Sequence, residues 1–410
     1  MDTPRQLLLI TLATAVLVFA SSGVSADERR LTLGGFGTIG ALYHDDEGLE
    51  YRRSIHQPSG AQAGKLELAT DSLLGVQANA AWNREFEVVA QALTRLSPDN
   101  DWQPRITRAF ARYNVNETLS LRAGRVGWEI YPRADSRDIG YSQAGIRPAV
   151  EAFGFIPTDA YDGGDLVVTV PVGEGLASMK LYGGAATGKI ARADGTINDL
   201  STSKLWGGHV EYAFGAWVVR AGSGIFELGS TPNVDALLAG LRQTGEPQAM
   251  DLADTFASRD RRTLFFVTGA AYDEGPLQSR LFLARTRAEG IAGRNAVTGL
   301  LTAGYKVDAL TPYGMFAFIH SLNDIQGTGL PDTPQFAALN AGAYRVQALG
   351  YNDQRSFSLG LRYDIRPHVA LKVQVDQVWM NGTTLVIEDR MPQRGADRMT
   401  VFGLAVDFIF

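Results

Sequence analysis

Eight charged side chains of both signs fall between Pro132 and Asp162: Arg133, Asp135, Arg137, Asp138, Arg147, Glu151, Asp159 and Asp162. Fixed charges of opposite sign in a narrow aqueous passage set up a transverse field, which sorts solutes by charge and orients dipoles. The same residues could instead tie a loop down through ion pairs, or stand solvated. Arg133, Arg137, Asp138, Arg147 and Glu151 are therefore candidates for a constriction, and what surrounds them decides between the readings. Catalytic chemistry has less material. The five histidines, His44, His56, His209, His320 and His368, sit in no recognisable motif, and Ser54-Ile55-His56 is too common a spacing to carry meaning. Neither a nucleophile beside a base nor a pair of water-activating carboxylates is legible. Without cysteine, disulfides and thiolate metal sites are excluded. An enzyme is the less favoured reading, and no cofactor or metal is implied.

The elements that would hold these charges are read best from the C-terminus. Phe402, Leu404, Val406, Phe408 and Phe410 fall on one side of an extended strand, and Val401, Gly403, Ala405 and Asp407 on the other. One face is large and apolar, the other small or polar, as in the closing strand of a barrel that has lipid outside and water within. At the other end, Arg5 precedes an apolar run from Leu7 to Ala20 and the small-residue site Val24-Ser25-Ala26. That run is too short for a comfortable membrane span. Residues 1–26 read as a secretory signal cleaved before Asp27, leaving 27–410 as one domain. No later stretch approaches the roughly 18 continuous apolar residues of a spanning helix. The mean hydropathy of -0.06 suits a barrel, in which only alternate residues face lipid. A formal charge of -6 leaves no basic excess for nucleic acid.

Between these ends, Gly, Asn, Asp and Pro punctuate segments of roughly ten residues, which read as strands. They begin with Leu31–Tyr43, Asp71–Trp82, Phe86–Arg95, Arg105–Tyr113 and Leu119–Ile130 and continue to the closing strand, about 16 in all. Short turns alternate with long loops, among them His44–Thr70, Gly229–Ser258 and Leu322–Gln354. Such sorting implies an up-and-down antiparallel β-barrel with its turns on one side of a membrane and its loops on the other. Aromatics including Tyr43, Trp82, Tyr113, Trp217, Tyr272 and Tyr305 fall near strand ends, where interfacial girdles lie.

Alternation then assigns the wall. On the fifth strand Leu119, Leu121 and Ala123 face lipid, so Ser120, Arg122 and Gly124 face the lumen. An arginine at the bilayer midplane would cost about 2–4 kcal/mol, which favours Arg122 inside. The same reasoning turns Arg220, Lys306, Arg362, Lys372 and Asp376 inward, with Arg108 and Arg112 beside Phe110. An arginine-rich wall implies a weak preference for anions, despite the acidic total.

From Leu33-Gly34-Gly35-Phe36-Gly37-Thr38-Ile39-Gly40 to Phe410 the chain resembles the Gram-negative porins of the general sixteen-stranded superfamily. The most specific element is Leu121-Arg122-Ala123-Gly124-Arg125-Val126, which runs into the long Tyr131–Asp162 segment and Asp162-Gly163-Gly164-Asp165-Leu166. The resemblance implies that the third long loop, after the fifth strand, folds into the barrel and narrows it, with 132–162 as that loop. The enteric Pro-Glu-Phe-Gly-Gly loop signature is absent, which points to a more distant proteobacterial branch. Passive diffusion of ions and small hydrophilic solutes follows, in a homotrimer among outer-membrane lipids and lipopolysaccharide, both termini periplasmic. A substrate-specific channel on the same scaffold is the alternative, ahead of a structural or adhesive barrel. A first strand about four residues past the cleavage site leaves no room for an N-terminal plug. Gly35, Gly37 and Ala41 could form a subunit contact or meet lipid.

Overall fold

Strands that alternate apolar and polar side chains satisfy their backbones only by pairing on both edges, so a row of them is stable once its first and last members meet. In the computed structural model they do. It describes residues 30–193, 195–229, 234–257, 261–288, 295–388 and 391–410. The signal read over 1–26, with its cleavage site, lies outside the described residues.

Sixteen long strands build the wall. They are β1 Arg30–Tyr43, β2 Leu73–Ala81, β3 Phe86–Arg95, β4 Arg105–Asn114, β5 Leu119–Gly127, β6 Ala160–Val172, β7 Gly175–Ala186 and β8 Lys204–Phe214. The second half comprises β9 Trp217–Glu227, β10 Arg262–Glu274, β11 Leu277–Ala288, β12 Ala296–Tyr305, β13 Leu310–Ser321, β14 Asp353–Arg366, β15 Val369–Glu388 and β16 Met391–Ile409. Each pairs antiparallel with its sequence neighbours. β1 closes the ring, pairing with β2 from Arg30↔Ala81 to Thr38↔Leu73 and with β16 from Phe36↔Ile409 to Tyr43↔Phe402.

The seam explains the glycines of β1. A Cβ on Gly35 would lie 2.2 Å from the Phe410 ring, and one on Gly37 2.4 Å from that of Phe408. The terminal aromatics thus lie over β1, and these two glycines are covered by their own chain rather than offered to a subunit or to lipid.

Connections alternate as the sequence requires. Residues 82–85, 115–118, 173–174, 215–216, 275–276, 306–309 and 367–368 make short turns at one end, where Arg30 and Phe410 also lie. The other end carries the longer segments. Two of them fold further than their irregular composition suggested: α2 (Asp235–Gln243) and α3 (Pro247–Ala257) follow β9, and α4 (Ala337–Ala348) follows β13. Leu238, Leu241, Leu252, Phe256 and Ala343 give these helices a small core of their own. No helix among the described residues is long and apolar enough to cross a membrane. The first long connection contributes two short strands, Leu49–Tyr51 and Ala61–Gln62, the former pairing with the outer end of β15.

The two faces of the wall differ as alternation demands. Leu31, Leu33, Val210, Phe266, Leu281, Leu301, Leu359, Val373 and Leu404 stand exposed outside, while Thr38, Lys180, Arg220, Lys372, Gln374, Asp376 and Asp407 are buried inside. A largely apolar exterior over a polar inner wall inverts the arrangement of a water-soluble domain.

Candidate functional site

β5 ends at Gly127, and the chain enters the barrel at Trp128, which is fully buried between Phe226 and Phe265 with ring centroids 5.8 Å from each. From there to 159 it crosses the inner face of the wall, passing through the short helix α1 (Val150–Phe153). A connection of this length packed against polar wall residues must satisfy its own backbone, and its anchors show how.

At the start, Glu129 accepts from Lys180 Nζ at 2.8 Å and Arg220 Nη1 at 2.9 Å, while Arg220 Nη2 reaches the Glu129 carbonyl at 2.6 Å and His209 Nδ1 at 2.9 Å. Burial would raise the Glu129 pKa, but Lys180 and Arg220 outweigh it and hold the carboxyl down to about 2. Next, Asp138 pairs with Arg95 at 2.8 Å and Arg53 at 3.5 Å, and Asp159 takes both Arg95 and Arg137. On the far wall Lys372 donates to the carbonyls of Gly140 at 2.8 Å and Gly145 at 2.9 Å while pairing with Asp407 at 2.7 Å. Arg362 bonds the carbonyls of Tyr141 at 2.6 Å and Gln143 at 3.0 Å, with its guanidinium 4.6 Å from the Tyr141 ring centroid. A Cβ at position 140 would meet Asp407 Oδ1 at 2.1 Å and Thr38 Oγ1 at 2.6 Å, so only glycine lets the loop come this close to the seam.

Arg147 is the deepest anchor. Its guanidinium lies 2.6 Å from Asp71 and 3.1 Å from Asp376, with only 2 % of the residue exposed. Burial opposes this charge, but Asp71 and Asp376 more than compensate and hold the proton more tightly than on a free arginine. Glu151 is buried too, accepting from Gln354 Nε2 at 2.8 Å while its Oε2 has no partner.

Burial pushes the Glu151 pKa up to about 7 from its ordinary 4.5. The native state therefore retains a proton that the unfolded chain gives up near 4.5. Its contribution is most favourable below that value and is lost as pH rises to about 7, a cost of about 3 kcal/mol. Glu129 behaves oppositely, its stabilisation being full above 4.5 and lost as pH falls towards 2. Urea titrations of the folded barrel should show stability declining between pH 5 and 7, and Glu151→Gln should flatten that decline. An unchanged slope in the variant would remove Glu151 from the account.

Of the other wall candidates, Arg122 forms a two-pronged pair with Asp165 at 2.8 and 2.7 Å, and Arg112 pairs with Glu87 at 3.1 Å. Arg108 reaches the Asp135 carbonyl, with its guanidinium 4.0 Å from that carboxylate. Lys306 is a correction: β12 ends at Tyr305, and Lys306 stands exposed in the short turn, beyond the wall. Asp162 is another. β6 begins at Ala160, so Asp162 lies in the wall, sharing the outer face with Leu166 and Val168 and pairing with Arg125 at 2.7 Å.

Most of the charge read as a constriction thus fastens the loop. What the loop leaves open is a cavity of about 380 Å³ between its 132–149 stretch and the inner faces of β8–β13. Arg133 borders it from the loop, at a left-handed φ of 63° that costs a non-glycine residue about 1–2 kcal/mol. Its Nη2 donates to the Ser142 carbonyl at 3.0 Å. Burial lowers its pKa, partly offset by Asp135 and Asp273. From the wall the cavity receives Arg280, Glu211 and Asp273. Arg280 has no ion-pair partner among the described residues. It escaped the sequence reading, although Leu281 and Leu283 facing out place it inward by the rule that placed Arg122. Lys180 was legible in the same way, whereas Asp71, expected at the start of a strand, and Asp159, expected among the loop charges, sit just outside the strands observed, where alternation says nothing.

No protein-family model matches the sequence, and no curated protein does. Solved structures match the fold. OmpF of Salmonella typhi, in complex with daunomycin, superposes with a TM-score of 0.55 at 14% identity, over 94% of this chain and 99% of that one. The outer-membrane channel DcaP of Acinetobacter baumannii gives 0.53 at 12%, over 95% and 100%. An anion-selective porin from Comamonas acidovorans gives 0.52 at 13%, over 93% and 100%.

Proposed function

We propose that this barrel, which has the fold of the sixteen-stranded porins, is an outer-membrane channel for passive diffusion of ions and small hydrophilic solutes. The observation that carries the reading is the charged cavity left between an anchored inner loop and β8–β13. Nothing in that arrangement drives transport, so solutes move down their gradients. Residues 132–149 form the constriction, with Arg133 and Arg280 as its cationic groups against Glu211 and Asp273. Their opposition orients dipolar solutes, and the two arginines give anions a weak advantage. The apolar exterior supports burial in lipid, with lipopolysaccharide packing near the loop end. The short-turn end, where Arg30 and Phe410 lie, faces the periplasm. The assembly is a homotrimer, as the porin resemblance implies.

Single-channel recording of the full chain in a planar bilayer, under a salt gradient, tests this reading. Stepwise conductances, grouped in threes, with a reversal potential slightly favouring anions are expected. Folded protein that passes no current would overturn the channel. A cation-favouring potential would overturn the assignment of Arg133 and Arg280.

A further inference from the structure

A second cavity, of about 160 Å³, lies on the other side of the inner loop, and its chemistry is unlike that of the constriction. Ile55, Phe155, Ile190, Leu200, Phe226 and Phe265 are among its walls. Phe226, Thr263, Thr286 and Ala296 place it at the loop end of the barrel, whereas Asp273, Gln278 and Gly304 place the charged cavity towards the turn end. Tyr131 lines the first and Pro132 and Arg133 the second, so the two lie in succession along the barrel. A passage built only for ions and sugars gains nothing from an apolar antechamber, because water-seeking solutes are repelled there.

Polar groups interrupt this lining: Glu151, which burial keeps protonated up to about pH 7, Arg192, Asn198, four threonines and Arg52. Arg52 is 1 % exposed, and its guanidinium donates to the carbonyls of Gln57 and Ala191 at 3.0 Å each and to that of Thr384. Its Nε has no partner, and no carboxylate among the described residues pairs with it. A buried arginine answered only by neutral carbonyls retains its full charge without a counter-ion. The size points the same way: a dry apolar cavity of about 150 Å³ holds one benzene ring.

We infer that this antechamber is a binding site for a small apolar carboxylate, of the size of a single aromatic ring. The ring would replace water against Phe155, Phe226 and Phe265, and the carboxylate would supply the charge that Arg52 lacks. Release towards the turn end then delivers the anion to Arg133 and Arg280. This deepens the channel reading and rests on it for the second step, while the binding itself does not depend on conduction.

The test is calorimetric titration of the full chain in lipid nanodiscs with benzoate, benzyl alcohol and acetate, alongside conductance of the same preparation. Benzoate is expected to saturate one site, at least about tenfold more tightly than either comparison, since a charge-assisted bond is at stake. Thr298→Leu fills the cavity from β12 without removing any hydrogen bond among the described residues, and should abolish benzoate binding. Benzyl alcohol binding as well as benzoate would overturn the role of Arg52, and acetate binding as well would overturn that of the ring. Protein that conducts but does not bind benzoate overturns the site and leaves the channel standing. Protein that binds benzoate but passes no current does the reverse.

Discussion

Replacing Arg147 with methionine is expected to free the inner loop while the barrel stays closed. The guanidinium lies between Asp71 and Asp376, and all three side chains are almost wholly buried. Methionine fills much the same volume but leaves two carboxylates facing each other in a site that Asp71 Oδ1 already shares with no partner. Breaking a buried ion pair from one side costs about 3–5 kcal/mol, because the abandoned charge remains. None of that loss falls on the strand ladder, so far-UV circular dichroism should be unchanged. It falls on residues 128–159, which should become sensitive to limited proteolysis, and the open-channel current should grow larger and noisier. Combining Arg147→Met with Asp71→Asn and Asp376→Asn removes the stranded charges and should restore most of the protection. A triple variant as labile as the single one would mean that packing, not charge, fixes the loop here.

The second large effect concerns Arg133 and Arg280. They reach the same cavity from opposite sides, one from the loop and one from β11, and neither has a carboxylate within ion-pair distance among the described residues. Exchanging both for glutamate turns two positive charges into two negative ones beside Glu211 and Asp273. A cleft with low-dielectric walls focuses such a change. The anion-to-cation permeability ratio should fall by roughly tenfold, which is about 1.4 kcal/mol of work on a monovalent ion. The reversal potential should change sign while conductance stays of the same order. An unaltered sign would move the selective step elsewhere along the lumen. Arg122→Glu is the natural control, because Arg122 is already spent on Asp165 and lies outside that cavity.

The wall was legible in the sequence because one physical rule, alternation between lipid and water, acts at every strand residue. Phe86–Arg95 has the ends expected of it, and Leu31–Tyr43 differs from β1 by one residue. The rule failed where its cause stops. The closing strand, whose alternation is legible over 401–410, starts at Met391, and β15 runs on to Glu388 to meet it in a hairpin held partly by Leu49–Tyr51. There neither lipid nor lumen imposes a period. The loop site was legible only as a cluster of charges. Composition cannot tell an arginine that lines water from one that grips a carboxylate, since that depends on residues hundreds of positions away, as with Arg147 and Asp376. Arg133 emerged as a cavity residue, whereas Arg137 and Asp138 emerged as fasteners.

The pairing of the first strand with the last has a consequence for how the protein is made. Phe36 cannot meet Ile409 until the chain has been made as far as residue 409, so any shorter form that pairs its strands is an open sheet with two sticky edges. Such distant pairing is slow, and a nascent chain in this condition needs an escort to avoid its own kind. The same late step sets the bore. Thr38 and Asp407 come together only across the closing seam, and Gly140 rests on both. The seat of the inner loop is therefore the last part of the barrel to acquire its shape, and a barrel that has not yet latched has no defined interior.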